Sequence, residues 1–204
     1  MSVTESRVFF LMGASGSGKD ALMRRCRALL TEADRCFVAH RYITREPETA
    51  GENHIWLNPA EFDKRLKLGA FAMHWAAHGQ RYAVGGEINQ WLDQGISVLI
   101  NGSRAFLPEA LALYHHRLVP VLVEVDPATL RSRLQQRGRE SAAEIEQRVA
   151  RAVESAPLLQ GRVQRIDNSG PLDSAAAALL RVIRGYGLAS DMPDRAIAWD
   201  AGSR

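Results

Sequence analysis

The sequence predicts an α/β domain with a central parallel sheet and helices on both faces. Short apolar runs alternate with helical periodicities along most of the chain, and a glycine-rich loop follows the first run directly. No apolar stretch is long enough to be anything but core. The longest strongly apolar run, Val8-Phe9-Phe10-Leu11-Met12, falls far short of the ~20 residues a membrane helix needs. With 204 residues, 46% of them hydrophobic and 24% charged, the chain can bury one substantial core. Residues 1–7 lack a basic-then-apolar leader, and Cys26 and Cys36 form neither a disulfide scaffold nor a Cys-x-x-Cys pair. The composition reads as that of a cytoplasmic globular protein with no membrane partner.

The elements follow in order. Residues Val8–Met12 are a buried strand ending at Gly13, and a helix runs from Ala21 to about Leu30. Phe37-Val38-Ala39 is a second strand. From Arg41 to Gly86 the pattern is irregular and broken by Pro47, Gly51, Pro59, Gly69, Gly79, Gly85 and Gly86, so it reads as an insertion over the core. Inside it, Asn58 caps a helix over Pro59–Leu68 with proline at its first position. Glu87–Gln94 is helical and stops at Gly95, Ser97–Ile100 is a strand, and Ala105–Leu113 is a helix. Val119–Val125 is a strand ending at Asp126-Pro127, a cap followed by a first-turn proline. Helices over Ala128–Arg137 and Ser141–Ser155, a strand over Val163–Ile166 and a helix over Leu172–Ile183 complete the alternation. The tail after Gly187 has no periodicity and is expected to be mobile.

Gly13-Ala14-Ser15-Gly16-Ser17-Gly18-Lys19-Asp20 lies between the first strand and the first helix. Backbone N–H groups that turn inward around a phosphate need conformations that side chains obstruct, hence the glycines. The helix that follows presents its positive end, and Lys19 reaches the outer phosphates. Gly13 through Asp20 are therefore the candidate ATP-phosphate residues. Asp20 stands where a magnesium-binding hydroxyl is usual. A carboxylate there binds Mg²⁺ directly or through water, or else repels the nucleotide and marks an inactive site.

The basic residues number 23 Arg against 3 Lys. They form no continuous tract with interleaved aromatics, which argues against nucleic acid as a partner. Arg131, Arg133, Arg137, Arg139, Arg148 and Arg151 gather in one stretch. Arginines that close over a transferring phosphoryl group meet charge as it develops. Arg133, Arg137 and Arg148, with Lys19, are the candidate catalytic residues. The alternative for this stretch is a solvated helix face paired to Glu144, Glu146 and Glu154.

Gly13–Lys19, Arg133-Leu-x-x-Arg137-Gly138 and Glu144-x-x-x-Arg148 together resemble the guanylate kinase family of P-loop kinases. The resemblance covers about residues 7–185 and includes Gly69-Ala-Phe71 through Gly79-Gln-Arg81-Tyr82 and the loop Arg45-Glu-Pro47 … Gly51-Glu52. It implies one domain, 1–187, with a core of 7–40 and 87–185. An acceptor-binding insertion spans 41–86 and an arginine lid about 137–147, leaving 188–204 as a tail. It also implies ATP and Mg²⁺ as cofactors, small-molecule substrates, and compatibility with a homodimer.

The departures carry as much meaning. The family's guanine-reading Glu falls on Met73, its second phosphate-gripping Arg near Glu48, an acidic residue on Asn101, and Tyr-Gly-Thr on Tyr82-Ala83-Val84. Gly-Lys-Asp20, Asn101-Gly-Ser-Arg104 and Arg137-Gly-Arg-Glu-Ser141 resemble the ribose 1,5-bisphosphate phosphokinases of bacterial phosphonate breakdown. That resemblance implies transfer of a phosphoryl group from ATP to the 1-phosphate of ribose 1,5-bisphosphate, giving 5-phosphoribosyl 1-diphosphate. Arg45, His78, Arg81, Tyr82, Asn101 and Arg104 are then the acceptor-binding candidates. Tyr82 serves equally as a buried anchor, and His78 as packing. Asp167 and Asn168 are candidates for holding the adenine side of ATP, although turn chemistry alone also favours them. A nucleoside-monophosphate kinase and a non-catalytic module of the same fold are the competing readings. The first needs a base-reading group that Met73 does not supply; the second has no use for Lys19, Arg137 and Arg148.

Overall fold

The computed structural model describes residues 5–46, 54–77, 79–138, 141–155 and 163–188. Strand β1 (Val8–Gly13) lies between β7 (Ser97–Asn101) and β8 (Leu118–Glu124), with β2 (Cys36–Val38) and β9 (Gln164–Asp167) at the edges. All four pairings are parallel. A central parallel strand is covered on both faces, and Val8 through Met12 are each 0% exposed. Phe9 and Leu11 pack with Leu22 and Cys26 of α1 (Lys19–Leu29) and Leu179 and Ile183 of α7 (Leu172–Leu188). Val8, Phe10 and Met12 face the other layer, with Ile88 and Leu92 of α3 (Glu87–Asp93) and Leu107 and Ala110 of α4 (Leu107–Tyr114). Burying each of the two phenylalanines contributes about 1.5–3 kcal/mol. No helix among the described residues is long and apolar enough to cross a membrane.

Helices α5 (Pro127–Arg137) and α6 (Ala142–Ser155) form a smaller layer through Leu130, Leu134, Ile145 and Val149. Asp126 caps α5 by accepting from the Thr129 amide at 2.9 Å, and Gly138 ends it in the left-handed conformation (φ 66°). Arg131 then joins α5 to α6 by a two-pronged bond to Glu146, at 2.5 and 2.8 Å.

The insertion departs from the expectation of irregular structure. Four strands, β3 (Arg41–Ile43), β4 (His54–Trp56), β5 (Phe71–Ala77) and β6 (Gln80–Gly85), form a second sheet in the order β4-β3-β6-β5. Two of these strands have only three residues, too few to show an alternation, and alanines blur the pattern of β5. Gly79 (φ 73°) lies in the tight β5–β6 turn rather than breaking structure. The expected helix is present as α2 (Pro59–Lys67), capped by Asn58, whose side chain accepts from the Glu61 amide at 2.9 Å. Phe62 of α2 is buried with Leu57 and Ala83, beside Tyr42, Leu66 and Phe71. On the opposite face of the sheet, Met73 and Val84 enter the core cluster of Phe10 and Ile88 and dock the insertion on the domain. Two further helices differ at their ends. A 3₁₀ turn (Arg104–Phe106) precedes α4, and α7 continues past Ile183 to Leu188. The tail beyond it lies outside the described residues.

Phe62 is therefore the anchor of the insertion. Phe62→Ala should destabilise it by about 3–5 kcal/mol, with hydrogen exchange rising in residues 54–85 before it rises in β1. Equal acceleration in both places would show that the insertion has no stability of its own.

Candidate active site

The carboxyl ends of the parallel strands meet at one edge of the sheet, where open α/β folds bind ligands. The loop leaving β1 turns there into α1. Gly18 has φ 83°, and a Cβ on it would stand 2.6 Å from Nδ2 of Asn168, so conformation and space both require glycine. Asn168, 2% exposed at the end of β9, donates from Nδ2 to the Ser17 carbonyl at 2.7 Å. Asp167 is used differently: its Oδ1 accepts from the Ser169 amide at 2.9 Å and from the Ser169 hydroxyl at 2.5 Å, closing a turn.

Lys19 reaches back over the loop, donating from Nζ to the carbonyls of Gly13 (2.7 Å) and Ala14 (2.9 Å). Burial lowers its pKa to about 8. Asp20 opposes that fall, and the charges of Arg41, Arg104 and Arg137 add to it. Asp20 itself points outward, its side chain 73% exposed. Its Oδ1 accepts from Asn101 Nδ2 at 2.7 Å and from Arg41 Nη2 at 3.4 Å. Asn101, at the end of β7, is 4% exposed.

Two arginines of the α5 and α6 layer approach the loop from the other side. Arg148 of α6 donates to the Ser15 hydroxyl at 2.9 Å. Arg133 of α5 brings a buried Nη1 to 3.6 Å from where a Cβ on Gly18 would stand, and that atom has no hydrogen-bond partner among the described residues. Arg137 is exposed at the end of α5, close enough for its charge to act on Lys19. Glu144 caps its own helix instead of pairing across it, accepting from the Ser141 amide and hydroxyl at 2.8 Å each.

On the insertion side the candidates divide. Tyr82 and Arg81 are neighbours on β6 and point to opposite faces. Tyr82 faces the loop, with the Arg41 guanidinium 5.6 Å from its ring centre. Arg81 is held on α2 by Asp63, by the Pro59 carbonyl at 3.0 Å and over the Phe62 ring, and does not join the group around Asp20. Arg45, in the turn after β3, makes a local contact with the Glu46 carbonyl at 3.5 Å. Arg104 is half-buried, its pKa lowered by desolvation, at the mouth of a cleft of about 290 Å³ lined by Ala14, Ser17, Val125, Leu130 and Val149. His78 lies outside the described residues. Met73 is 1% exposed inside the apolar core, and Trp75 stacks between Tyr82 and Phe106 at 5.7 and 5.4 Å. Arg41 and this aromatic stack carried no sequence motif. Only the second sheet, whose short strands hid it, brings Arg41 to Asp20.

The arrangement fits a polyphosphate. The loop, the positive end of α1 and a half-buried lysine lie together, with an unpartnered arginine Nη1 beside Gly18. No group of three or more His, Cys, Asp or Glu gathers to hold a metal ion among the described residues. The exposed Asp20 carboxylate suits Mg²⁺ carried by substrate phosphates, which needs only one or two protein carboxylates.

No family model matches the chain. Proteins named ribose 1,5-bisphosphate phosphokinase PhnN do. The one from Thiobacillus denitrificans is 46% identical over 181 residues, covering 89% of this chain and 94% of that protein. The one from Desulfomicrobium baculatum is 48% identical, covering 87% and 94%. Among solved structures, guanylate kinase from Anaplasma phagocytophilum superposes with a TM-score of 0.66 over 91% of this chain and 89% of its own, at 16% identity. That likeness shows the fold.

The lowered pKa of Lys19 has a measurable consequence. The folded, nucleotide-free protein gives up this proton near pH 8 rather than 10.5, and phosphates raise the pKa again. ATP binding at pH 8.5 should therefore take up protons, whereas binding at pH 6.5 should take up none through Lys19. Calorimetry in buffers of different ionisation enthalpy measures the uptake. Lys19→Arg, charged at both pH values, should abolish it; uptake that persists in this variant would reject Lys19 as the source.

Proposed function

The chain belongs to the ribose 1,5-bisphosphate phosphokinase family, and from that premise we propose that it transfers the γ-phosphoryl group of ATP to the 1-phosphate of ribose 1,5-bisphosphate. An oxygen of the 1-phosphate bonds to the γ-phosphorus while the bond to the departing ADP oxygen breaks. The products are 5-phosphoribosyl 1-diphosphate and ADP. The acceptor is already an anion, so no general base is needed, and the protein's task is to position two polyanions and neutralise their charge.

The observation that carries this reading is the contrast between the two sides of the site. The phosphate side keeps the loop, Lys19 and the lid, with Arg148 donating to Ser15 at 2.9 Å. On the acceptor side Met73, 1% exposed, offers no hydrogen-bond acceptor to a base. A guanine placed there would leave buried donors unpaired at about 1–3 kcal/mol each. A ribose bisphosphate makes no such demand.

In this reading Lys19, Arg133, Arg137 and Arg148 meet the transferring phosphoryl group. Gly13 to Asp20 hold the ATP phosphates, with Asp167 and Asn168 behind them. Arg45, His78, Tyr82, Asn101 and Arg104 serve the acceptor, and Arg81 supports that side from β6 by holding α2. Mg²⁺, bound with ATP beside Asp20, would supply further charge neutralisation.

The test is ADP release measured in parallel with ribose 1,5-bisphosphate, GMP and no acceptor. Turnover should require the bisphosphate, and a kcat/KM for GMP as high as that for the bisphosphate would refute the reading. Arg148→Ala should lower kcat by about 10²–10³ while the affinity for ATP changes much less. Loss of ATP affinity with kcat intact would place Arg148 in nucleotide binding alone.

A further inference from the structure

We infer that Arg41 is the specificity-determining residue that grips the acceptor phosphate not taking part in transfer, the 5-phosphate of ribose 1,5-bisphosphate; this rests on the function proposed above. Two anionic groups must be matched on the acceptor. The one that reacts lies against the γ-phosphate, where Lys19 and the lid arginines already converge. The other needs a cation on the insertion side, away from the lid.

Arg41 stands in that position. It opens β3, and the register of that strand turns Tyr42, the next residue, toward α2, where it meets Phe71 and Arg65. Arg41 therefore projects from the opposite face, toward the loop. Its side chain is only 20% exposed, braced on the Tyr82 ring and directed at Oδ1 of Asp20, 3.4 Å away. Asn101 holds the same Oδ1 at 2.7 Å. Loop, core strand and insertion thus share one carboxylate oxygen, which aims the guanidinium. The arginine on β6, Arg81, is turned to Asp63 on α2.

A planar guanidinium on an aromatic ring, facing an exposed carboxylate, can exchange that long contact for two parallel bonds to a phosphate. Asp20 then acts as a positioning residue. It keeps Arg41 extended until the phosphate arrives, and it offsets the crowd of cations around Lys19.

The experiment compares ribose 1,5-bisphosphate with ribose 1-phosphate, which has the reacting phosphate but not the other, and uses ribose 5-phosphate as a competitive inhibitor. Arg41→Gln should lower the preference for the bisphosphate over ribose 1-phosphate by about 10–100-fold and weaken ribose 5-phosphate by a similar factor. The KM for ATP and the Tm report on folding, and Arg41→Lys should retain part of the preference. Equal losses with both acceptors would assign Arg41 to the reacting phosphate and overturn the inference. An unchanged preference and an unchanged inhibition constant would overturn it as well, leaving the proposed reaction standing. Absence of bisphosphate turnover in the unmodified protein would instead remove the proposed function, and the inference with it.

Discussion

Asn168 donates from Nδ2 to the Ser17 carbonyl at 2.7 Å, while its own amide bonds to the Glu124 carbonyl at 2.8 Å. Three strand ends are joined in this way: β9, which precedes it, β8 through Glu124, and β1 through the loop that leaves it. The side chain is 2% exposed, so water does not compete for the bond. Gly18 must lack a side chain because Asn168 occupies the space its Cβ would take. The shape of the phosphate loop is thus set by a residue about 150 positions away in sequence. Of the four buried polar residues among those described, Ser17, Asn101 and Asn168 lie on this loop or at the strand ends beside it. A parallel sheet buried on both faces leaves its carboxyl edge as the place where polar groups gather.

The second constraint is electrostatic. Lys19 is half-buried, and Arg41, Arg104 and Arg137 all act to discharge it. Asp20, in a position where a hydroxyl would be neutral, is the group that opposes them. The carboxylate therefore suits a site with more arginine around it. It also links the phosphate side to the insertion, because the oxygen that accepts from Asn101 also receives Arg41. An acceptor with two phosphates and no base needs more positive charge on the insertion than one with a single phosphate.

Packing, as well as the missing hydrogen-bond acceptor, sets position 73 apart. Met73 fills the junction between the insertion and the core with Val84, Phe10 and Ile88. Trp75 stacks between Tyr82 and Phe106 and lines a cleft with His74, Arg81 and Ser103. A carboxylate put back at position 73 would be buried in an apolar cluster, a far larger penalty than any contact it might restore.

Determined by the sequence alone were the core elements and the phosphate loop, because each has a local physical signature. Val8–Met12 is continuously apolar because both faces are covered. Gly13 to Asp20 carry the glycines and lysine that a phosphate demands, and Asp126-Pro127 and Asn58-Pro59 mark helix starts within a few residues. The departure at Met73 was legible too, since the resemblance gave the position a neighbour to be compared with. Tertiary structure alone decided the second sheet, whose three-residue strands are stable only through pairing across the insertion. It also turned Arg81 away to Asp63, brought Arg41 to Asp20, and made Asn168 a clamp on Ser17. Each of these depends on which face of a strand looks inward, or on which strand ends become neighbours. Those are long-range facts about burial and register, and local residue patterns do not encode them.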